Sequence, residues 1–196
     1  MIYDFSNKIS DKLVGKNVIK QVDAEIYTYG FELIISTLLI MITEICLGII
    51  FNCLFEVLVF ILFFCSLRLQ AGGYHADTHL KCFSFFTIGC FSSIGLSHLL
   101  INYNKSFIII FLILIETYIL VLRYAPVDTL NKPFTDSELI KFRKTSYITI
   151  TVQVIIISAL SIFLKHLNLY YMVAAFAILF ESLSLLPIIN NKKKEG

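Results

Sequence analysis

Charge is what this chain is short of. Only 15% of its 196 residues are Asp, Glu, Lys or Arg, where a soluble domain carries roughly 25%. The shortage is concentrated in long apolar runs, 58% of residues are hydrophobic and mean hydropathy is +0.83. Together these exclude a soluble globule with a large core and mark an integral membrane protein. Tryptophan is absent altogether. A disulfide scaffold is missing too: Cys46, Cys53, Cys65, Cys82 and Cys90 lie mostly in apolar surroundings without scaffold spacing, as buried or reactive thiols do. Residues 1–28 are too polar and too acidic for a cleaved secretory signal. The chain has no internal repeat, and its low-complexity sequence is confined to the Asn190-Asn191-Lys192-Lys193-Lys194 tail.

What is present is hydrocarbon in spans. Six segments, 29–50, 54–67, 82–100, 107–124, 147–164 and 169–189, can each be drawn as a helix across a layer about 30 Å thick, the second borrowing from its flanks. The tight Asn52-Cys53 connection predicts a hairpin of the first two. With both termini in the cytoplasm, fourteen of the sixteen Lys and Arg residues fall on one side, leaving Lys105 and Lys165 on the other. That asymmetry is the positive-inside pattern. Ile2, Phe5, Ile9 and Leu13 recur at helical spacing among Asp and Lys, which predicts an amphipathic helix on the inner leaflet; a solvated helix is the plain alternative. Thr135-Asp136-Ser137-Glu138 has capping-box form and predicts a helix that continues into the fifth span. The fold class expected is therefore all-α: six transmembrane helices, cytoplasmic termini and an interfacial N-terminal helix, in one membrane-embedded domain over 1–196.

Between the second and third spans lies a polar island at 68–82, holding Arg68, Gly72, Gly73, His75, Asp77, His79, Lys81 and Cys82. Cysteine attacks as thiolate, and a nearby histidine can take its proton. On an unbroken helix the seven residues from His75 to Cys82 would separate them by about 10.5 Å, too far for a hydrogen bond. Gly72-Gly73 provides the freedom to break the rod and fold His75 back, and Cys82 in the first turn of the next helix would feel the positive end of its dipole. Spacing alone favours His79, three residues from Cys82 on a regular helix. His75, His79 and Cys82 also share one helical face and could hold zinc with a water. Solvated histidines beside a packing cysteine are the bland alternative.

Arg68-x3-Gly72-Gly73-x-His75-Ala76-x5-Cys82 resembles the signature of the accessory gene regulator protein B family, membrane endopeptidases that mature bacterial autoinducing peptides. Ala125-Pro126-Val127-Asp128 followed by Asn131-Lys132-Pro133 resembles its second recurring loop, and size and hydropathy agree over nearly the whole chain. The resemblance implies a thiol endopeptidase with Cys82 as nucleophile and His75 as base, supported by Arg68, Gly72 and Gly73; His79 is outside the pattern. It further implies an AgrD-type propeptide as substrate, cut at its C-terminal tail and cyclised to a thiolactone or lactone. A homodimer in the bacterial plasma membrane follows too, with 68–82 as catalytic loop on the cytoplasmic side. No cofactor or metal is called for, and the partners expected are propeptide and membrane lipid, not nucleic acid.

Arg68 and the cations of the 125–146 loop (Lys132, Lys141, Arg143, Lys144) are candidate attractors for an acidic tail, or determinants of topology and lipid contact. Arg68 could instead stabilise an oxyanion or pair with Asp128, and either Asp77 or Asp128 could orient His75. Glu44, Glu116 and Glu181 lie within spans, where ionised carboxylates are costly, and predict a polar interior or interhelical hydrogen bonds. Two functions from other classes fit less of the chain: a small six-helix peptide transporter, and a zinc-dependent intramembrane protease.

Overall fold

The computed structural model describes residues 2–74, 78–103, 106–128 and 134–187. Among them are seven α-helices and no strand. The chain divides into two units, Met1–Leu47 and Gly48–Gly196.

The first unit holds α1 (Ile2–Gly15) and most of α2 (Ala24–Ile50). Helix α1 ends because Asn17 turns left-handed, with φ 55°. Its amide donates to the Val14 carbonyl at 2.8 Å and the Val18 amide to that of Leu13 at 3.0 Å. This pair of crossed bonds satisfies carbonyls the helix end leaves open. Along α1 the enclosed positions are Ser6 and Ser10; Ile2, Ile9 and Leu13 are half-buried and Phe5 is exposed. Helix α2 stops by the same device: Asn52 has φ 55°, and the amides of Asn52 and Cys53 bond the carbonyls of Ile49 and Gly48. α3 (Leu54–Ala71) starts at once, the tight connection expected at Asn52-Cys53. Gly48 belongs here for space, since a Cβ would come within 3.1 Å of Val57 and 3.2 Å of the Leu54 backbone.

In the second unit, α4 (His79–Leu100), α5 (Ser106–Tyr124), α6 (Asp136–Phe163) and α7 (Asn168–Ser184) follow α3. Helices α2 to α7 occupy the places of the six expected spans. Five of them, α2 to α6, are long and apolar enough to cross a membrane, while α7 is apolar but shorter. The capping box is present as the sequence predicts: the Thr135 hydroxyl accepts from the Glu138 amide and the Glu138 carboxylate accepts from the Thr135 amide.

Helix α7 is the centre of this unit. Ten of its seventeen residues are buried, and it packs against α3, α4, α5 and α6. Ala174, Ala175 and Ala177 let neighbouring backbones approach closely, the usual route to helix association where lipid removes the hydrophobic drive. Gly89 on α4 does the same for one aromatic ring: any Cβ there would overlap Phe180. The apolar core joins Leu67 and Ala71 of α3, Ile110, Leu114 and Val121 of α5, Ile150 and Ile157 of α6, and Met172 and Ile178 of α7. A polar tie crosses it, the Gln153 side-chain amide donating to the Phe63 carbonyl at 3.0 Å and the Ser66 hydroxyl at 2.8 Å. The outward faces of these helices carry large exposed apolar residues such as Leu62, Ile88, Leu112 and Ile155, suited to lipid. Glu116, expected inside, is exposed on the outer face of α5.

Candidate active site

Where α3, α5 and α7 end and α4 begins, the two sequence motifs meet. Helix α3 terminates at Gly72, with φ +72°, and Gly73 follows at φ +123°. Both values lie where glycine alone is unstrained. The segment 68–82 is therefore not one rod; α4 restarts only at His79, capped by the Thr78 hydroxyl, which accepts from the Lys81 amide at 3.3 Å.

The segment 125–128, carried by the end of α5, runs alongside this break. Gly72 and Val127 form a parallel bridge, and the Val127 amide donates to the Ala71 carbonyl at 2.8 Å. A Cβ on Gly72 would overlap the Val127 carbonyl oxygen. Glycine at 72 is thus required twice, by its backbone angle and by this approach.

Arg68, in the last turn of α3, is the hub of the arrangement. Its Nη1 donates to the Gly72 carbonyl at 3.0 Å and the Ser184 hydroxyl at 3.1 Å, and lies 3.4 Å from Glu181 Oε1; its Nη2 donates to the Tyr74 carbonyl. Ser184 in turn donates to Glu181 Oε2 at 3.2 Å. Gly73 sits against this group, for a Cβ there would overlap Arg68 Nη1 and Ser184 Oγ. Among the described residues the carboxylate beside Arg68 is Glu181, where the sequence left Asp128 open. Asp128 is exposed, on the segment that bridges to Gly72.

Cys82 lies in the first turn of α4, where its amide makes an early helical bond, to the Thr78 carbonyl. It is an exposed free thiol. Exposure separates it from Cys53 and Cys90, which are buried. His79 is also exposed on that turn. His75, Asp77 and Lys132 lie outside the described residues; Tyr74 and Thr78 bracket the first two. Of the residues expected at the site, the structure thus brings Arg68, Gly72, Gly73, Cys82 and Asp128 to one end of the second unit.

Aromatic packing anchors this end to the core. The Tyr74 ring lies 5.0 Å from Phe85, Phe85 lies 4.7 Å from Phe180, and Phe180 continues to Phe64. Beside them an open pocket of about 530 Å³ is lined by Tyr74, Leu80, Lys81, Ser84 and Phe85. A second groove, about 490 Å³, runs along α6 between Ile140, Arg143, Lys144, Tyr147, Ile148, Thr151 and Val152.

Sequence reasoning missed Glu181 and Ser184 as parts of this site. Glu181 stood out as an intramembrane carboxylate, but its partner is 113 residues away and no local spacing links the two.

Residues 6–185 match the family model for accessory gene regulator B. An AgrB-like protein 2 of Clostridium perfringens strain 13 (type A) is 30% identical over 173 residues, covering 85% of this chain and 79% of that protein. An AgrB-like protein of C. perfringens strain SM101 (type A) matches with the same identity and coverage. No solved structure matches.

Proposed function

The chain belongs to the accessory gene regulator B family, and from that premise we propose that it is a multi-pass membrane cysteine endopeptidase and cyclase for a quorum-sensing propeptide. Membership carries a part in peptide processing of the agr type, an AgrD-type propeptide as substrate and association with the membrane. The thiol mechanism, the six-span topology and the homodimer are our reading.

One observation carries the mechanism: the helical rod breaks at Gly72 and Gly73, and an exposed thiol, Cys82, stands on the first turn after the break. Unpaired amides at a helix start favour negative charge, a contribution toward the thiolate. His75, on the connection, takes the thiol proton. The Cys82 sulfur attacks the carbonyl carbon at the junction of peptide core and C-terminal tail; the C–N bond breaks, and the amine leaves with the proton His75 has carried. The core remains as a thioester on Cys82. A Cys or Ser of the substrate then attacks that carbonyl, the bond to Cys82 breaks, and the proton lost by the attacking group returns to the Cys82 sulfur. A cyclic thiolactone or lactone is released and the enzyme restored.

Cyclisation beats hydrolysis only when the internal nucleophile is held close and water is scarce, conditions a site at the lipid boundary supplies. The cations favour a cytoplasmic site: Arg68, Lys81, Arg123, Lys141, Arg143 and Lys144 all belong to the helix ends that gather here, and Arg143 and Lys144 line the α6 groove. Those two, with Lys132, are suited to an acidic tail.

The test is the mass of Cys82 after incubation with the cognate propeptide. An adduct equal to propeptide minus tail is expected, and Cys82→Ala should remove both adduct and tail release. Cleavage that survives Cys82→Ala and yields to a chelator would replace the thiol with a metal; intact cleavage with failed export would favour a transporter.

A further inference from the structure

Glu181 is fully buried on α7, the most enclosed helix of the second unit. Burying a carboxylate is costly unless it is paired and hydrogen-bonded, and inside a membrane such a residue ordinarily marks function. Interhelical glue would account for its pairing with Arg68 if the guanidinium stopped there. It does not: the same Arg68 head donates to the Gly72 and Tyr74 carbonyls. A guanidinium presents its donors in a rigid planar fork, so fixing one edge fixes where the others point.

We propose that Glu181 is a positioning residue for the reaction, acting through Arg68 to hold the backbone of Gly72, Gly73 and Tyr74, the described residues that lead into the catalytic loop. This rests on the thiol-peptidase reading for its consequence, though not for its geometry. Two further observations support it. Ser184 closes a second side of the cluster, donating to Glu181 and accepting from Arg68, so the carboxylate is held on both oxygens. Gly73 leaves the space this cluster occupies, because any side chain there would overlap Arg68 and Ser184 and crowd Glu181. Without Glu181, the long Arg68 side chain at a helix end is free to swing toward lipid phosphate, and the loop carbonyls lose their donor.

The full chain in nanodiscs provides the test, with hydrogen exchange of a peptide covering 72–78 as a readout independent of activity. Glu181→Gln should speed exchange of that peptide roughly tenfold while residues 168–184 keep their protection. Tail release should fall through kcat with KM nearly unchanged, because the carboxylate touches the loop's clamp and not the substrate. Since Glu181 acts through Arg68, the double variant Arg68→Gln/Glu181→Gln should be no worse than Arg68→Gln alone. If Glu181→Gln fails to insert, Arg68→Lys carries the same test: it retains the ion pair but cannot reach both carbonyls, so the loop alone should loosen. Unchanged exchange at 72–78 in a folded variant, or independent additive losses in the double variant, would overturn the proposal. Cleavage surviving in Cys82→Ala would sink the thiol reading alone, leaving the exchange result to judge the clamp.

Discussion

The Val127 amide donates to the Ala71 carbonyl at 2.8 Å, joining two segments more than fifty residues apart in sequence. Ala71 is the last residue of α3, and Val127 lies beyond α5, so each would otherwise present an open backbone group where the protein is packed. Such groups are costly there. The bond therefore satisfies both and fixes the second loop against the first.

That contact predicts the effect of filling the glycines. Gly72→Ala places a methyl on the Val127 carbonyl oxygen, and Gly73→Ala places one in the Arg68–Ser184 contact, each at a positive φ. Strain of this kind costs on the order of 1–3 kcal/mol. Because it falls on the loop, tail release should drop by roughly ten- to a hundredfold, while membrane insertion, followed by membrane fractionation, stays near wild type. Wild-type turnover in both variants would mean the loop conformation is irrelevant to catalysis.

The two histidines separate by variant. On our reading His75→Ala abolishes tail release and His79→Ala keeps much of it, since His79 stands exposed on the same turn as Cys82 but lacks a place in the family pattern. Single-turnover assays with purified propeptide measure this directly. Reversed behaviour would move the base to His79, the neighbour that helical spacing favours.

Much of this was legible before any coordinates. Long apolar runs mark α2 to α7 because hydrocarbon demands them, and Thr135-x-x-Glu138 marks the start of α6 because open amides at a helix start need acceptors. Gly72-Gly73 signalled the break for the same kind of local reason. Long-range pairing was hidden. Hydropathy treats the six apolar segments alike, so it does not show that α7 is the central one, nor that Glu181 meets Arg68 while Glu116 faces outward. Gln153 likewise resembled any polar interruption of a span, although it ties α6 to α3. Those facts depend on which face each helix turns inward, and that is set by partner helices distant in sequence.

Thiol labelling tests both site and sidedness. Cys82 is exposed at a helix start, Cys53 and Cys90 are buried, and Cys46, though exposed, lies about one turn before the end of α2, the end our topology places outside. A membrane-impermeant maleimide should modify Cys82 ahead of the other four in inside-out vesicles and leave it untouched in right-side-out ones, where Cys46 is the thiol within reach. Mass mapping of the labelled peptide reads the outcome. Labelling from the outer face would reverse the topology and remove the cytoplasmic site.

Gln153 provides a prediction about stability rather than chemistry. Its amide donates twice to α3, at the Phe63 carbonyl and the Ser66 hydroxyl, and the side chain is buried. Hydrogen bonds between membrane helices average about 0.6 kcal/mol and reach about 1.7. Ser66 already donates to the carbonyls of its own helix, so losing Gln153 leaves its hydroxyl satisfied as a donor. Gln153→Leu should therefore cost about 1 kcal/mol, seen as a lower thermal midpoint in detergent, with kcat almost unchanged because its partners, Phe63 and Ser66, are not residues of the site. Replacing Ser66 by alanine in that background should add little, since the shared bond is already gone. A fall in kcat without loss of stability would show instead that the α3–α6 tie is coupled to the active site, through the same helix that carries Arg68.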